Sequence, residues 1–256
     1  MTLPPQKIND WIIPDWPAPA NVRALSTTRN GGVGSAPFAS LNLGDHVGDD
    51  PQIVARNRCL LREHLPAEPL WLKQVHATTV AAADRACGTP EADAGVAREP
   101  HKVCAVLTAD CLPLLLCDRA GTVVGAAHAG WRGLAAGVIE STIAAMGVDP
   151  ATLLAWLGPA IGPNAFEVGD EVRAVFLEHD AAAIGAFAAQ SSGKWLADIY
   201  RLARIRLASS GVAQVYGGDF CTFHERERFF SYRRDRITGR MASLIWLNQP
   251  FSPIIS

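Results

Sequence analysis

Apolar positions recur along this chain in two ways, as short continuous runs and as helical stripes. Residues 103–107 and 112–117 are apolar, partly β-branched runs of strand length, and Thr108-Ala109-Asp110-Cys111 joins them. Residues 118–121 predict a turn, and residues 122–127 a third strand ending at His128. Residues 22–29 predict a strand running into a turn at Asn30-Gly31-Gly32, and residues 70–75 a short strand ending at His76. Strands are also predicted at 212–216 and 242–247.

The helical stripes fall between these runs. Asp50 can cap free amides and Pro51 suits a first helical position, so a helix opens there, with Ile53, Val54, Leu60, Leu61 and Leu65 on one face. The elbow Gly130-Trp131-Arg132-Gly133 leads into a helix over 134–146, with Gly147 as its C-terminal stop. Further helices are predicted over 169–179 and 195–209, the latter carrying Leu196, Ile199, Leu202, Ala203 and Leu207 on one face. Strands and helices mix throughout, and neither a linker nor an internal repeat interrupts them. The class is α+β (mixed α/β), with one domain over residues 1–256.

Composition narrows the functional classes. With 49% hydrophobic and 19% charged residues over 256 positions, the chain can bury a core, which excludes global disorder. The formal charge of -2, from 23 basic and 25 acidic side chains, argues against a dedicated nucleic-acid or membrane-surface binder. The first residues, MTLPPQKINDW, lack the apolar stretch of an export signal, and no run reaches the ~20 residues of a membrane span. Six cysteines without a CxxC pair are too sparse for a disulfide scaffold. A cytoplasmic chain with free thiols, monomeric by default, is the expectation. Seven histidines, no two of them two positions apart, limit the metal chemistry available.

Three reactive side chains stand at the ends of apolar strands: His76, Cys111 and His128. Two imidazoles and a thiolate are the protein ligands of a Zn²⁺ site whose fourth position stays open. Spacing does not single them out, since 35 residues separate the first pair and 17 the second. The same residues permit a metal-free reading, with Cys111 as nucleophile, His128 or His76 as its base, and Asp110 as an orienting acid or a turn-former. A structural zinc in a partner-binding protein would need a fourth ligand, for which His46 and Asp93 are candidates. Cys59, Cys87, Cys104, Cys117 and Cys221 read as small hydrophobes. The arginine-rich stretch FHERERFFSYRRDRITGR also holds Glu225, Glu227 and Asp235, and reads as a salt-bridged surface. The turn GPAIGP lacks the Lys-Ser/Thr ending of a phosphate loop and reads as a rigid turn lining the cleft.

The segments STTRNGGVG, SLNLGDHVGDDP, LKQVH, EADAGV, LTADCLPLLLCD, AAHAGWRGLAAGV, LGPAIGPNAFEVGDEV and FFSYRRDRITGRMASLIWL run in this order over roughly residues 23 to 247. By them the chain resembles the YfiH family of bacterial laccase-domain proteins, also called peptidoglycan editing factors or purine nucleoside phosphorylases, and formerly multicopper polyphenol oxidases. The resemblance implies a four-layer α/β/β/α fold, with mixed sheets sandwiched between helices, and a site of His76, Cys111 and His128 holding zinc, with copper possible in its place. One departure is AREPHK after EADAGV, where many relatives carry a Thr-rich strand start.

The family names imply three activities. Phosphorolysis of purine nucleosides (adenosine, inosine, methylthioadenosine), with adenosine deamination as a side activity, needs cations for phosphate. Arg29, beside a double glycine that admits a ligand, is the favoured candidate, holding substrate or phosphate with Asn42, and Lys73 and Arg132 also stand next to the proposed site in sequence. Amide hydrolysis of UDP-MurNAc-L-Ser would use a zinc-bound water or Cys111, with the same cations binding the diphosphate. Multicopper oxidation requires many imidazoles, commonly in His-x-His pairs, and this chain has none. A zinc-dependent purine nucleoside phosphorylase is therefore the leading expectation.

Overall fold

The two central apolar runs become strands buried on both faces, because side chains along a strand alternate sides. In Leu112–Asp118, Leu112, Leu114 and Leu116 enter one core while Leu115 and Cys117 enter another. In Val103–Thr108, Cys104 and Val106 share that second core, and Val103, Ala105 and Leu107 turn to a third. The computed structural model describes residues 10–191 and 193–249. The extreme N-terminus, on which the reading against export rests in part, lies outside them.

Two sheets pack face to face over the shared core. The six-stranded sheet runs Gln214–Gly217, Leu153–Leu157, Leu112–Asp118, Val124–Ala129, Ala94–Ala97, Val80–Ala82. The four-stranded sheet runs Val22–Ser26, Met241–Leu247, Val103–Thr108, Pro69–Leu70. Helices Val138–Met146 and Ile199–Ser209 cover the outer face of the first, through Ile139, Ile143, Leu202 and Leu207. Helix Pro51–Arg62 covers the outer face of the second through Leu61, packed with Leu41 and Leu43. The order is helix, sheet, sheet, helix, as the resemblance implied. A small third sheet joins Phe187–Ala189, Lys194–Ala197 and Glu167–Gly169. Among the described residues, no helix is long and apolar enough to cross a membrane.

Three predicted elements differ. The expected strand over 70–75 pairs as a strand at Pro69–Leu70 and by a single bridge at Lys73, opposite Glu91, because residues 75–77 then turn away to wrap a buried carboxylate. The helix expected over 134–146 is two helices, Trp131–Ala136 and Val138–Met146, broken at Gly137, whose φ of 102° closes the first and opens the second. The helix expected from residue 195 begins at Ile199. Asp198 caps it by accepting from the Arg201 amide, while Lys194–Ala197 pairs as a strand. The cap at Asp50 is as predicted, its side chain accepting from the Gln52 amide, an interaction worth about 1 kcal/mol.

Candidate active site

One buried carboxylate organises the site. Asp93 has no exposed surface and stands just before strand Ala94–Ala97. Its Oδ2 accepts from the Val75 and Ala77 amides at 3.1 and 2.7 Å. Its Oδ1 accepts from the His76 amide at 2.9 Å and from His128 Nδ1 at 2.8 Å. Four donors thus fill the carboxylate. The loop wrapped around it carries His76 in the left-handed region, at φ 62°, where a branched or bulky side chain is strained.

The other two groups come from a single hairpin. Strands Leu112–Asp118 and Val124–Ala129 pair antiparallel with Leu112 opposite Ala129 and Pro113 opposite His128. Cys111 therefore sits at the hairpin's open end, beside Gly130. A Cβ on Gly130 would lie 2.9 Å from Cys111 Sγ and 2.9 Å from His76 Cδ2, so glycine is what lets the three side chains meet. Cys111 Sγ is 3.7 Å from His76 Nε2, and the two imidazole centroids are 4.7 Å apart. The three donor atoms all lie within 4.8 Å of one another, with His76 exposed, Cys111 half-buried and His128 buried.

These donors are compatible with a metal ion. A tetrahedral centre with Zn–S of ~2.3 Å and Zn–N of ~2.05 Å sets S and N roughly 3.6 Å apart, close to the observed Cys111–His76 separation. The Asp93 bond fixes the proton of His128 on Nδ1 and leaves Nε2 free to ligate, a common backing for a metal-bound histidine. Of the fourth ligands considered from sequence, Asp93 has its oxygens committed to other donors, and His46 lines the cavity outside the cluster.

The electrostatics favour an ionised pair without metal. Burial pushes the Cys111 thiol up, but the His128 imidazolium and hydrogen bonds from both imidazoles outweigh it and hold the thiol at about 6. Burial lowers His128, and the Cys111 thiolate and Asp93 carboxylate more than reverse that, so its pKa is raised. Cys104 and Cys117 show the opposite behaviour: desolvation raises both thiols, as expected of inert core groups. Cys59 and Cys87 are exposed and Cys221 is half-buried, so the reading of all five as small hydrophobes holds only for the two core residues.

A cavity of about 570 Å³ opens over the cluster. Its walls include Trp131, Ile161, Phe166, Ile199 and Tyr232, together with His46, Gln74 and four arginines: Arg132, Arg233, Arg236 and Arg240. The GPAIGP turn contributes Ile161, as the sequence suggested. Arg132 reaches the rim with its guanidinium 4.5 Å above the Trp131 ring.

The remaining sequence candidates lie off the wall. Arg29 donates to the Ala39 and Arg226 carbonyls and stacks over Phe230, so its guanidinium braces a loop. Asn42 is fully buried, its Oδ1 accepting from the amides of Gly44 and Arg240 and its Nδ2 donating to Asp49. It thereby supports the backbone of a cavity arginine instead of facing the cavity. Lys73 pairs with Glu91 at 2.9 Å on the exposed surface, where such a pair contributes little.

Reading residues 223–240 as a salt-bridged surface describes only half of that stretch. Arg228 pairs with Glu225, and Arg234 with Asp235. Arg233, Arg236 and Arg240 instead line the cavity, and among the described residues none has a carboxylate partner within ion-pair distance. Six arginines against three acids in this stretch is the available signal: at least three cations must lack a local partner.

Comparisons with known proteins identify the family and the fold. Residues 23–248 match the family described as multi-copper polyphenol oxidoreductase laccase. A Pseudomonas aeruginosa protein named purine nucleoside phosphorylase is 58% identical, covering 94% of this chain and 99% of its own. The Escherichia coli purine nucleoside phosphorylase YfiH is 57% identical, covering 92% and 98%. Among solved structures, Neisseria meningitidis protein NMB0706 aligns with TM-score 0.90 at 56% identity, covering 93% of this chain and 99% of that one. YlmD from Geobacillus stearothermophilus aligns with TM-score 0.87 at 31% identity, covering 95% and 98%. With its paired sheets, its His-Cys-His cluster and these relatives, the chain belongs to the YfiH-type laccase-domain family.

Proposed function

We propose that this chain is a zinc-dependent purine nucleoside phosphorylase, with His76, Cys111 and His128 as the metal ligands. The observation that carries the reading is one cavity lined by two chemically distinct sets of side chains. Two imidazoles and a thiol converge in it, and four arginines line its wall, among them Arg233, Arg236 and Arg240, which have no acidic partner among the described residues. Relatives that match nearly end to end carry the name purine nucleoside phosphorylase.

Phosphorolysis exchanges the bond from ribose C1′ to the purine nitrogen for one to a phosphate oxygen. The arginines supply what that exchange needs from protein: planar donors that hold phosphate and offset its charge as it approaches an electron-poor carbon. Trp131, Phe166 and Tyr232 offer flat apolar surface for the base, and their burial of it excludes water from the reacting centre. Bound zinc would polarise the substrate or lower the pKa of a water to about 7, the latter accounting for deamination as a side activity. Asp93 keeps His128 in one orientation and tautomer throughout.

The Cys111–His128–Asp93 chain favours a second reading. A thiolate held by a buried imidazolium, itself oriented by a carboxylate, is the arrangement of an acyl-transfer nucleophile. An amide such as UDP-MurNAc-L-Ser would suit it, its diphosphate taken by the same arginines. Copper oxidase chemistry of the multicopper kind has less support, because the described residues bring together one three-donor cluster.

The deciding experiment incubates the purified protein with adenosine and phosphate, and separately with UDP-MurNAc-L-Ser. Adenine and ribose 1-phosphate, lost in Cys111→Ala, are expected from the first. Free serine from the second, with no phosphorolysis in the first, would replace this reading with the amidase. Oxygen consumption with a phenol in copper-free buffer would revive the oxidase.

A further inference from the structure

We propose that Asp110 is a positioning residue that ties the arginine-bearing wall of the cavity to the turn carrying Cys111, and so sets affinity for the anionic substrate. The proposal rests on the phosphate role given above to those arginines.

Asp110 precedes Cys111 and gathers three segments distant in sequence. Its carbonyl accepts from the Ile161 amide at 2.9 Å. Its Oδ1 accepts from Thr222 Oγ1 at 2.6 Å, and its Oδ2 accepts from the Arg233 amide at 2.6 Å. Both carboxylate bonds are short, as charge-assisted bonds are. The residue is 9% exposed and holds φ at 97°, a conformation that costs free energy and persists only where its surroundings enforce it. A turn alone would be satisfied by glycine; the carboxylate is needed for the bonds it makes.

Those bonds fix particular things. Thr222 is fully buried and is anchored in turn, its amide donating to Ala160 and its carbonyl accepting from Arg234. Arg233 lies in the one-turn helix Tyr232–Asp235, and pinning its amide sets where Tyr232, Arg233 and the following Arg236 enter the cavity wall. The Arg233 guanidinium then lies over Phe166 and donates to the Glu167 carbonyl. One side chain therefore fixes the arginine-bearing helix relative to the turn that carries Cys111, a placement that a substrate touching both must match.

Asp110→Asn tests this with little change of shape, since asparagine tolerates positive φ but offers one acceptor oxygen where two are needed. Thr222→Val removes only the Thr222 bond and serves if Asp110→Asn fails to fold. In the zinc-loaded enzyme, either variant should raise KM for phosphate about tenfold, and weaken inorganic phosphate binding by calorimetry to match, on the scale expected of a sub-ångström misplacement. KM for the nucleoside and the zinc affinity should stay within twofold. Hydrogen exchange at the Arg233 amide, which needs no phosphate, should quicken in Asp110→Asn. Unchanged exchange, unchanged phosphate binding, or an equal loss of zinc affinity would each overturn the proposal. Absence of phosphate binding in the parent protein, with the exchange effect intact, would instead overturn the phosphorylase reading and confine Asp110 to fixing Arg233.

Discussion

Gly130→Ala isolates the packing that lets the three donors meet. The backbone there has φ -59° and ψ 155°, which alanine adopts freely, so the added methyl acts through space alone. It would sit 2.9 Å from Cys111 Sγ, 2.9 Å from His76 Cδ2 and 3.4 Å from His76 Nε2. Comfortable contacts need ~3.5–4.0 Å, so the neighbours must retreat by roughly 0.6–1 Å. Metal–ligand distances tolerate only about 0.2 Å. His76, on an exposed loop, gives way more easily than Cys111, and weakening one ligand of three should reduce zinc affinity at least about tenfold. Folding should barely notice: losing glycine at the helix N-cap costs a fraction of a kcal/mol to about 1, and the lost unfolded-state freedom returns about 0.4–1 kcal/mol. A competition titration with a chromophoric chelator measures the affinity, and melting in excess chelator measures the fold. Zinc affinity within twofold of the parent would refute the packing argument, as would a large loss of stability in the metal-free protein.

What the sequence disclosed, and what it concealed, follows from the range over which each feature is determined. The strands at 103–107 and 112–117 were readable because unbroken apolar runs have few other uses, and the Asp50 cap because its partner is two residues away. The ligand trio was visible as reactive residues beside apolar runs, although its assembly depends on hairpin register and on a carboxylate 17 residues beyond His76. In sequence Asp93 reads only as a possible ligand; nothing in EADAGV announces that three backbone amides and an imidazole will close on it. The cavity arginines were hidden for a related reason. Their stretch carries nearby acids, and only the fold decides that Glu225 and Asp235 are spent on Arg228 and Arg234. Arg29, conversely, meets the local criterion of a strand end beside glycines, yet the fold sets it off the cavity wall, where its guanidinium donates to two carbonyls and lies over a phenyl ring.

Asp93→Asn should lower zinc affinity about 10–100-fold by weakening the support of His128, measured by the same competition titration. Arg240→Ala should raise KM for phosphate about tenfold or more, whereas Lys73→Ala should leave it within twofold, because the Lys73–Glu91 pair is a solvated surface contact. A pH dependence follows from the thiol of Cys111, held at about 6 in the metal-free protein. Alkylation by iodoacetamide needs the thiolate, so its rate at Cys111 should rise through about pH 6 and be nearly level above pH 7. An ordinary thiol, with pKa about 8.5, would still be gaining rate there. The sign is that of a depressed acid: the reactive form is lost as pH falls through the folded pKa, and persists above it. Peptide mapping separates Cys111 from the exposed Cys59 and Cys87, and Cys104 and Cys117 should stay unlabelled, since burial keeps both protonated and covered. Added zinc should suppress labelling at Cys111 while sparing the reactions of Cys59 and Cys87. A Cys111 profile still climbing between pH 8 and 9 would show that His128 does not hold the thiolate. Labelling that zinc fails to suppress would remove Cys111 from the metal site.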